Sequence, residues 1–233
     1  MRLRFALPCL LVTTTACVGE PVTAGGRASA DLYDVFMAVA AVVFVVVASL
    51  IGWSIVRYRR KDADETLPKQ FRDNVKLEIL WFAIPQLLVI GLFAGSVVAL
   101  NDVDEESGDP TVTIGVDAFQ WGWRFTYETT DVVVDSLPDD PAEIVIPVGE
   151  TVSFSLTSSD VIHSFYVPAF FQKRDVVPGL TNRMDVVVEE AGSYDAKCAE
   201  FCGLLHDRMD FTIRAAPRAE YEAWLARSEA VDD

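Results

Sequence analysis

His163, Cys198, Cys202, His206 and Met209 are the residues of this chain whose types and spacing could do chemistry. The last four read C-x3-C-x3-H-x2-M, with Glu200 between the two cysteines, and the chain's only two histidines both fall in the set. Soft sulfur combined with imidazole is the donor chemistry that selects copper. The spacing is not the C-x2-C of zinc ribbons or redox dithiols, and zinc has little use for a thioether. A mononuclear blue-copper site takes two histidines, one cysteine and a weak axial methionine. Here a second cysteine is left over. A second thiolate lets two copper ions share both sulfurs, which spreads one electron over both metals and keeps reorganisation small. With every coordination position filled by protein, the chemistry implied is electron transfer. The competing use of the two cysteines is a disulfide in an oxidising compartment, but only three residues separate them, and so small a ring has awkward geometry.

The elements that must position this set are legible in composition. The chain has 233 residues and a formal charge of −16, which argues against nucleic acid as a partner. From Asn101 onward there are 27 Asp/Glu against 9 Lys/Arg, an acidic face suited to a basic partner. Arg2 and Arg4 followed by the apolar run Phe5–Val12 read as a signal peptide over 1–16. Thr14-Thr15-Ala16-Cys17 resembles a lipoprotein processing site, with Thr14 where Leu is usual. Residues 17–31, rich in Pro, Gly, Ala and Ser, read as a linker. A transmembrane helix hairpin is expected over 32–100, with spans at about 33–57 and 79–100; Val35–Val56 and Ile79–Leu100 carry no charged side chain. Arg57, Arg59, Arg60, Lys61, Lys69, Arg72 and Lys76 in the connection place it in the cytoplasm, so the rest of the chain faces outward. Trp53, Tyr58 and Trp81 suit the membrane interfaces, and Pro85 inside the second span is tolerated there.

After an acidic linker at Asn101–Pro110, the pattern changes to short strand-like runs: Thr111–Val116, Phe119–Tyr127, Val132–Val134, Glu143–Pro147, Val152–Thr157, His163–Val167, Asn182–Val188, Gly192–Ala196 and Asp210–Ala215. Turn signals such as Pro138-Asp139-Asp140 and Pro178-Gly179 separate them, as in a β-sandwich or barrel. Pro217–Ser228 reads as a short C-terminal helix with Tyr221, Trp224 and Leu225 on one face. The expected soluble domain occupies 109–228.

Three segments carry a family resemblance: Val161-Ile162-His163-Ser164-Phe165-Tyr166-Val167-Pro168, Asp175-Val176-Val177-Pro178-Gly179, and Tyr194 through Met209. With the hairpin, about Asp31 to Trp224 resembles subunit II of the haem–copper cytochrome c oxidases and its copper-A (CuA) domain. The resemblance implies an all-β cupredoxin-like (Greek-key) domain behind the hairpin, in a bacterial cell membrane. It implies that His163 and His206 each ligate one copper of a pair, that Cys198 and Cys202 bridge both, and that Met209 and the Glu200 carbonyl are weak ligands. The Glu200 carboxylate would help hold magnesium at the border with subunit I. Trp121, in Phe119–Phe125, matches the tryptophan that receives electrons from cytochrome c, although Gly122 stands where an aromatic is frequent. Asp160 matches an acidic docking residue for cytochrome c. Glu78, in Leu77–Trp81, matches the mouth of a proton path, although Asp73 and Phe82 replace a common histidine and threonine. The implied partners are subunits I and III and cytochrome c. The implied activity is electron delivery to an aa3-type catalytic subunit that reduces oxygen and pumps protons. The chain has no C-x-x-C-H for a covalent haem. A quinol oxidase subunit II would share hairpin and sandwich but lack Cys198, Cys202 and His206.

Overall fold

The computed structural model describes residues 19–59, 70–130 and 132–232. The expected signal segment with Cys9 and Cys17 lies outside the described residues, as do Arg60, Lys61 and Lys69. Helix α1 runs Ala24–Arg57 and α2 runs Val75–Val103. Both are long and apolar enough to cross a membrane, and the apolar windows of both are unburied. Phe44 and Phe93 are 72% and 69% exposed. Each such side chain is worth about 1.5–3 kcal/mol when covered, so a bilayer or partner must cover these surfaces.

α1 starts earlier than the linker reading of 17–31 allows. Thr23 caps it, its Oγ1 accepting from the Gly26 N–H at 3.0 Å, so the Gly/Ala-rich stretch is helical from Ala24 on. At ~1.5 Å per residue α1 is about 51 Å long, against ~30 Å of hydrocarbon, so one end can pass the bilayer and reach the soluble domain. It does so at its N-terminus. The Val22 N–H donates to the Ala169 carbonyl at 3.3 Å, the Glu189 N–H donates to the Val22 carbonyl at 2.9 Å, and Arg27 pairs with Glu189. The small residues earn their place by close approach: a Cβ at Gly26 would lie 2.5 Å from the Phe170 carbonyl oxygen. α2 exceeds its expected span at both ends and takes the first residues of the expected 101–110 linker. Arg174 donates to the Asp104 carboxylate at 2.5 Å beyond its last turn. At the other end Asn74 Oδ1 accepts from the Leu77 N–H, and Glu78 accepts from the Asn74 N–H, both at 3.2 Å.

Among the described residues ten strands follow: β1 (Val112–Phe119), β2 (Gly122–Tyr127), β3 (Val133–Ser136), β4 (Glu143–Pro147), β5 (Thr151–Ser158), β6 (His163–Val167), β7 (Gln172–Val176), β8 (Asn182–Val187), β9 (Gly192–Cys198) and β10 (Asp210–Ala216). They form two five-stranded sheets, ordered β3-β2-β1-β5-β8 and β4-β10-β9-β6-β7. β1 pairs with β5, and β4 with β10, in parallel; the other pairs are antiparallel. The two inner faces close over a cupredoxin-like core in which Trp123, Phe125, Phe154, Phe165 and Phe211 are fully buried or nearly so. Phe154, Phe165, Phe211 and Trp123 pack in series at 5.0–5.4 Å between ring centroids. Tyr127 crosses from one sheet to the other: its hydroxyl donates to the Val145 carbonyl at 2.7 Å and accepts from the Val145 N–H at 3.0 Å. Helix α3 (Arg218–Asp232) lays Trp224 on Tyr127, ring centroids 5.2 Å apart.

Two strand expectations need correction. The single run Phe119–Tyr127 is two strands, because Gln120 and Trp121 turn the chain between β1 and β2. β7 was absent from the sequence reading, since Gln172-Lys173-Arg174-Asp175-Val176 has no apolar alternation; it pairs with β6 on an edge where only Gln172 and Val176 are buried.

Candidate metal centre

Strand pairing brings the five candidate ligands together. β6 begins at His163 and β9 ends at Cys198, and these neighbours run antiparallel with Phe165 opposite Cys198. The chain then loops through Glu200 and Cys202, makes one 3-10 turn at His206–Arg208, and enters β10 directly after Met209. One end of one sheet therefore presents all five side chains. Cys198, Cys202, Met209 and His163 are buried, and His206 is half-buried at the rim.

The donor atoms face one another. The two Sγ atoms are 3.9 Å apart and both thiols are free. His163 Nδ1 lies 3.9 Å from Cys198 Sγ, and His206 Nδ1 lies 3.6 Å from Cys202 Sγ. Met209 Sδ sits 3.3 Å from Cys202 Sγ, and the Glu200 carbonyl oxygen 3.3 Å from Cys198 Sγ. His163, Cys198 and Cys202 offer ligand atoms all within 4.8 Å of one another. Two donors each about 2.0–2.3 Å from one ion necessarily lie within about 4.6 Å of each other, so these separations fit bound metal. Soft sulfur with imidazole fits copper.

The electrostatics point the same way. Burial pushes the Cys198 thiol up, yet the His163 ring and the Glu200 carbonyl outweigh it and bring the thiol down to about 7. Burial, then the neighbouring Cys198, push Cys202 up to about 12. Without metal Cys202 keeps its proton near neutral pH, and a cation that takes both as thiolates must displace it. His163 is raised: burial opposes its charge, but Cys198 and Asp160 more than compensate.

Asp160 is an exposed residue whose carboxylate also turns back onto the metal centre. Its Oδ1 lies 2.9 Å from His163 Nε2 and accepts from the Val161 N–H at 2.6 Å, while Oδ2 accepts from the Gln120 N–H at 2.6 Å. Burial raises the carboxyl, but the His163 contact and these N–H donors hold it below the ordinary carboxylate value. A carboxylate on the far nitrogen of a ligand histidine fixes tautomer and ring orientation. Trp121, half-buried, donates its indole N–H to the Cys202 carbonyl at 3.2 Å, and Trp123 donates to the Met209 carbonyl at 3.1 Å. The Glu200 carboxylate is exposed, and Phe201 and Leu204 beside the site are 78% and 82% exposed. Glu78 stands at the start of α2, the end away from the sandwich, as part of a helix cap. Sequence reading missed Gln120, whose amide donates to the Cys202 carbonyl at 2.7 Å; its place beside Trp121 was the only available signal.

Fold and site together define a cupredoxin-like domain, attached to two apolar helices, with a buried soft-donor site suited to copper. The comparisons narrow this class. Residues 136–216 match the family model for the cytochrome c oxidase subunit II periplasmic domain, and residues 23–97 match that for its transmembrane domain. The chain is 39% identical to cytochrome c oxidase subunit 2 of Alkalihalophilus pseudofirmus, over 94% of this chain and 66% of that protein. It is 31% identical to the probable cytochrome c oxidase subunit 2 of Streptomyces avermitilis, over 93% of this chain and 82% of that one. The periplasmic domain of cytochrome oxidase subunit II from Bradyrhizobium japonicum superposes with a TM-score of 0.50 at 28% identity, covering 54% of this chain and 98% of that one. The chain belongs to the cytochrome c oxidase subunit II family. It spans about two thirds of the length of the Alkalihalophilus relative.

Proposed function

We propose that this chain is the electron-input subunit of an aa3-type cytochrome c oxidase, taking electrons from cytochrome c at a binuclear CuA centre. It delivers them to the haem of catalytic subunit I, where oxygen is reduced to water and protons are pumped, in a complex that also contains subunit III. The observation that carries this reading is the convergence of His163, Cys198, Cys202, His206 and Met209 donor atoms at 3.3–3.9 Å on one sheet end. Cys198 and Cys202 would bridge two copper ions, His163 and His206 would each complete one, and Met209 and the Glu200 carbonyl would be weak ligands. Copper so held supplies a one-electron relay with small reorganisation. Trp121, bonded to the Cys202 carbonyl at the surface, receives the electron, and His206 at the rim faces the acceptor subunit. The exposed Phe201 and Leu204 give the partner an apolar contact, and the surrounding acidity draws a basic donor. The exposed Glu200 carboxylate would help hold magnesium at the subunit I border. Glu78 serves as the proton-path mouth, a role its helix-capping bond must share.

The basic connection between the helices supports a cytoplasmic hairpin tip, with the CuA domain, 109–228, on the outer side of a bacterial cell membrane. The N-terminal 1–16 is read as a signal peptide, with Thr14-Thr15-Ala16-Cys17 as the lipoprotein-like processing site. Metal analysis and electron paramagnetic resonance of the full chain in detergent test the reading. Two copper ions per chain and hyperfine coupling to both nuclei are expected. A single-copper spectrum, or one unchanged in Cys202→Ser, refutes it.

A further inference from the structure

The turn between β1 and β2 touches both halves of the metal centre, and Gln120 makes both contacts. Through its backbone, the Gln120 N–H donates to Asp160 Oδ2 at 2.6 Å, and the other oxygen of that carboxylate lies 2.9 Å from His163 Nε2. Through its side chain, Gln120 Nε2 donates to the Cys202 carbonyl at 2.7 Å, the same oxygen that accepts the Trp121 indole N–H at 3.2 Å. Two donors thus converge on one carbonyl, and the side-chain amide is the closer. The floor beneath them is Gly203, at φ +121°; a Cβ there would lie 3.0 Å from Trp121 Cζ2 and 3.2 Å from Gln120 Nε2. A side chain at 203 would press on both donors.

We propose that Gln120 is a positioning residue for electron input: it locks the Cys202 carbonyl against the Trp121 indole and draws electron density from the peptide of a copper ligand. The inference rests on the CuA reading above. A bonded route from the Trp121 ring runs across its N–H to the Cys202 carbonyl, then through C, Cα and Cβ to Sγ. Without the Gln120 amide, that carbonyl has only the longer indole bond, on an exposed turn where water competes for it. Loss of a fixed orientation slows transfer while leaving the docking surface intact. The N–H dipoles present their positive ends to the ligand residue and so favour the more negative, reduced centre. Removing one lowers the reduction potential.

The test uses the complete membrane oxidase carrying Gln120→Leu, which loses the donor, or Gln120→Asn, which keeps the amide but shortens its reach. Copper content, KM for reduced cytochrome c, the electron-intake rate at saturating donor, and the potential of the centre are measured together. Both variants are expected to keep wild-type copper and KM. Intake should slow at least threefold, and the redox equilibrium should shift about threefold toward the oxidised form, about 28 mV at ~59 mV per decade. Gln120→Glu, with an acceptor facing the carbonyl, should be slower than Gln120→Leu. Wild-type intake and potential in Leu and Asn overturn the proposal, as does copper loss in both, which would make Gln120 a prop for the ligand loop. A single-copper spectrum in the wild-type complex would instead refute the CuA reading, an outcome separable from any difference among the Gln120 variants.

Discussion

Replacing Asp160 separates two roles for one carboxylate. If it is a docking charge, its removal slows cytochrome c association and leaves the metal site alone, because rim charges act mainly on the association rate. If it positions His163, the metal site suffers. Three N–H donors meet this carboxylate, from Gln120, Val161 and the His163 ring. The Asp160 side chain is 30% exposed, so water can replace it for the two backbone donors, but the His163 side chain has no exposure at all. In Asp160→Ala the ring nitrogen of this wholly buried side chain loses its charged partner. An orphaned buried donor costs about 1–3 kcal/mol, which at ~1.4 kcal/mol per decade is about 5- to 150-fold in an equilibrium constant. Loss of an outer-shell partner of a metal ligand costs 10- to 100-fold in affinity by general experience, about the same. Copper affinity of the full chain, titrated against a competing chelator, should therefore fall about 10- to 100-fold in Asp160→Ala. It should fall less in Asp160→Asn, which keeps an acceptor. Association of cytochrome c with the copper-loaded oxidase, followed by stopped flow at two salt concentrations, should change less than about twofold. Wild-type copper affinity together with slow, salt-altered association would refute the positioning role and restore the docking one.

Three further outcomes follow from the same geometry. In the metal-free chain the Cys198 thiol lies near 7 and Cys202 near 12, and both are buried, so at about pH 8 a small alkylating agent should label slowly and favour Cys198 over Cys202, as peptide mass spectrometry would show. The sign follows from a folded value below the ordinary 9.0: stability from this ionisation is complete above about 9 and is lost as pH falls through about 7. Tyr127→Phe removes both hydrogen bonds to Val145 across the sheets and should cost about 1–3 kcal/mol in denaturant unfolding, with little change in the copper spectrum. Gly203→Ala strains a positive φ and presses on Trp121, so it should slow electron intake without altering copper content; a wild-type rate would contradict the close packing of Trp121 on that residue.

What the sequence made legible was set by how local each signal is. A run of 22 uncharged residues announces a membrane helix without reference to anything else, and the two long helices appear where those runs lie. C-x3-C-x3-H-x2-M is one short loop, so its residues could hardly avoid meeting, and His163 reaches them because β6 and β9 are neighbours. Elements that depend on distant partners were misread. Ala24–Ala30 looks like linker by composition and becomes helical where Thr23 caps it and the sandwich receives it. β7 carries no alternation and exists by pairing with β6.

The contacts of Asp160 and Gln120 add what family resemblance alone does not supply. Resemblance matched Asp160 by its place three residues before His163 and gave it a surface role. That spacing also lets its carboxylate turn back onto the imidazole, and the structure shows this second use. Gln120 lies more than 80 residues from Cys202, and no periodicity or motif links them; the turn between β1 and β2 makes the contact. Side-chain type constrained the metal strongly, because few donors suit copper. It constrained the supporting shell weakly, because amides and carboxylates fit anywhere a hydrogen bond is needed. The candidate ligands of such a site are therefore readable from one chain, while the groups that hydrogen-bond to them become visible only once strand register places them.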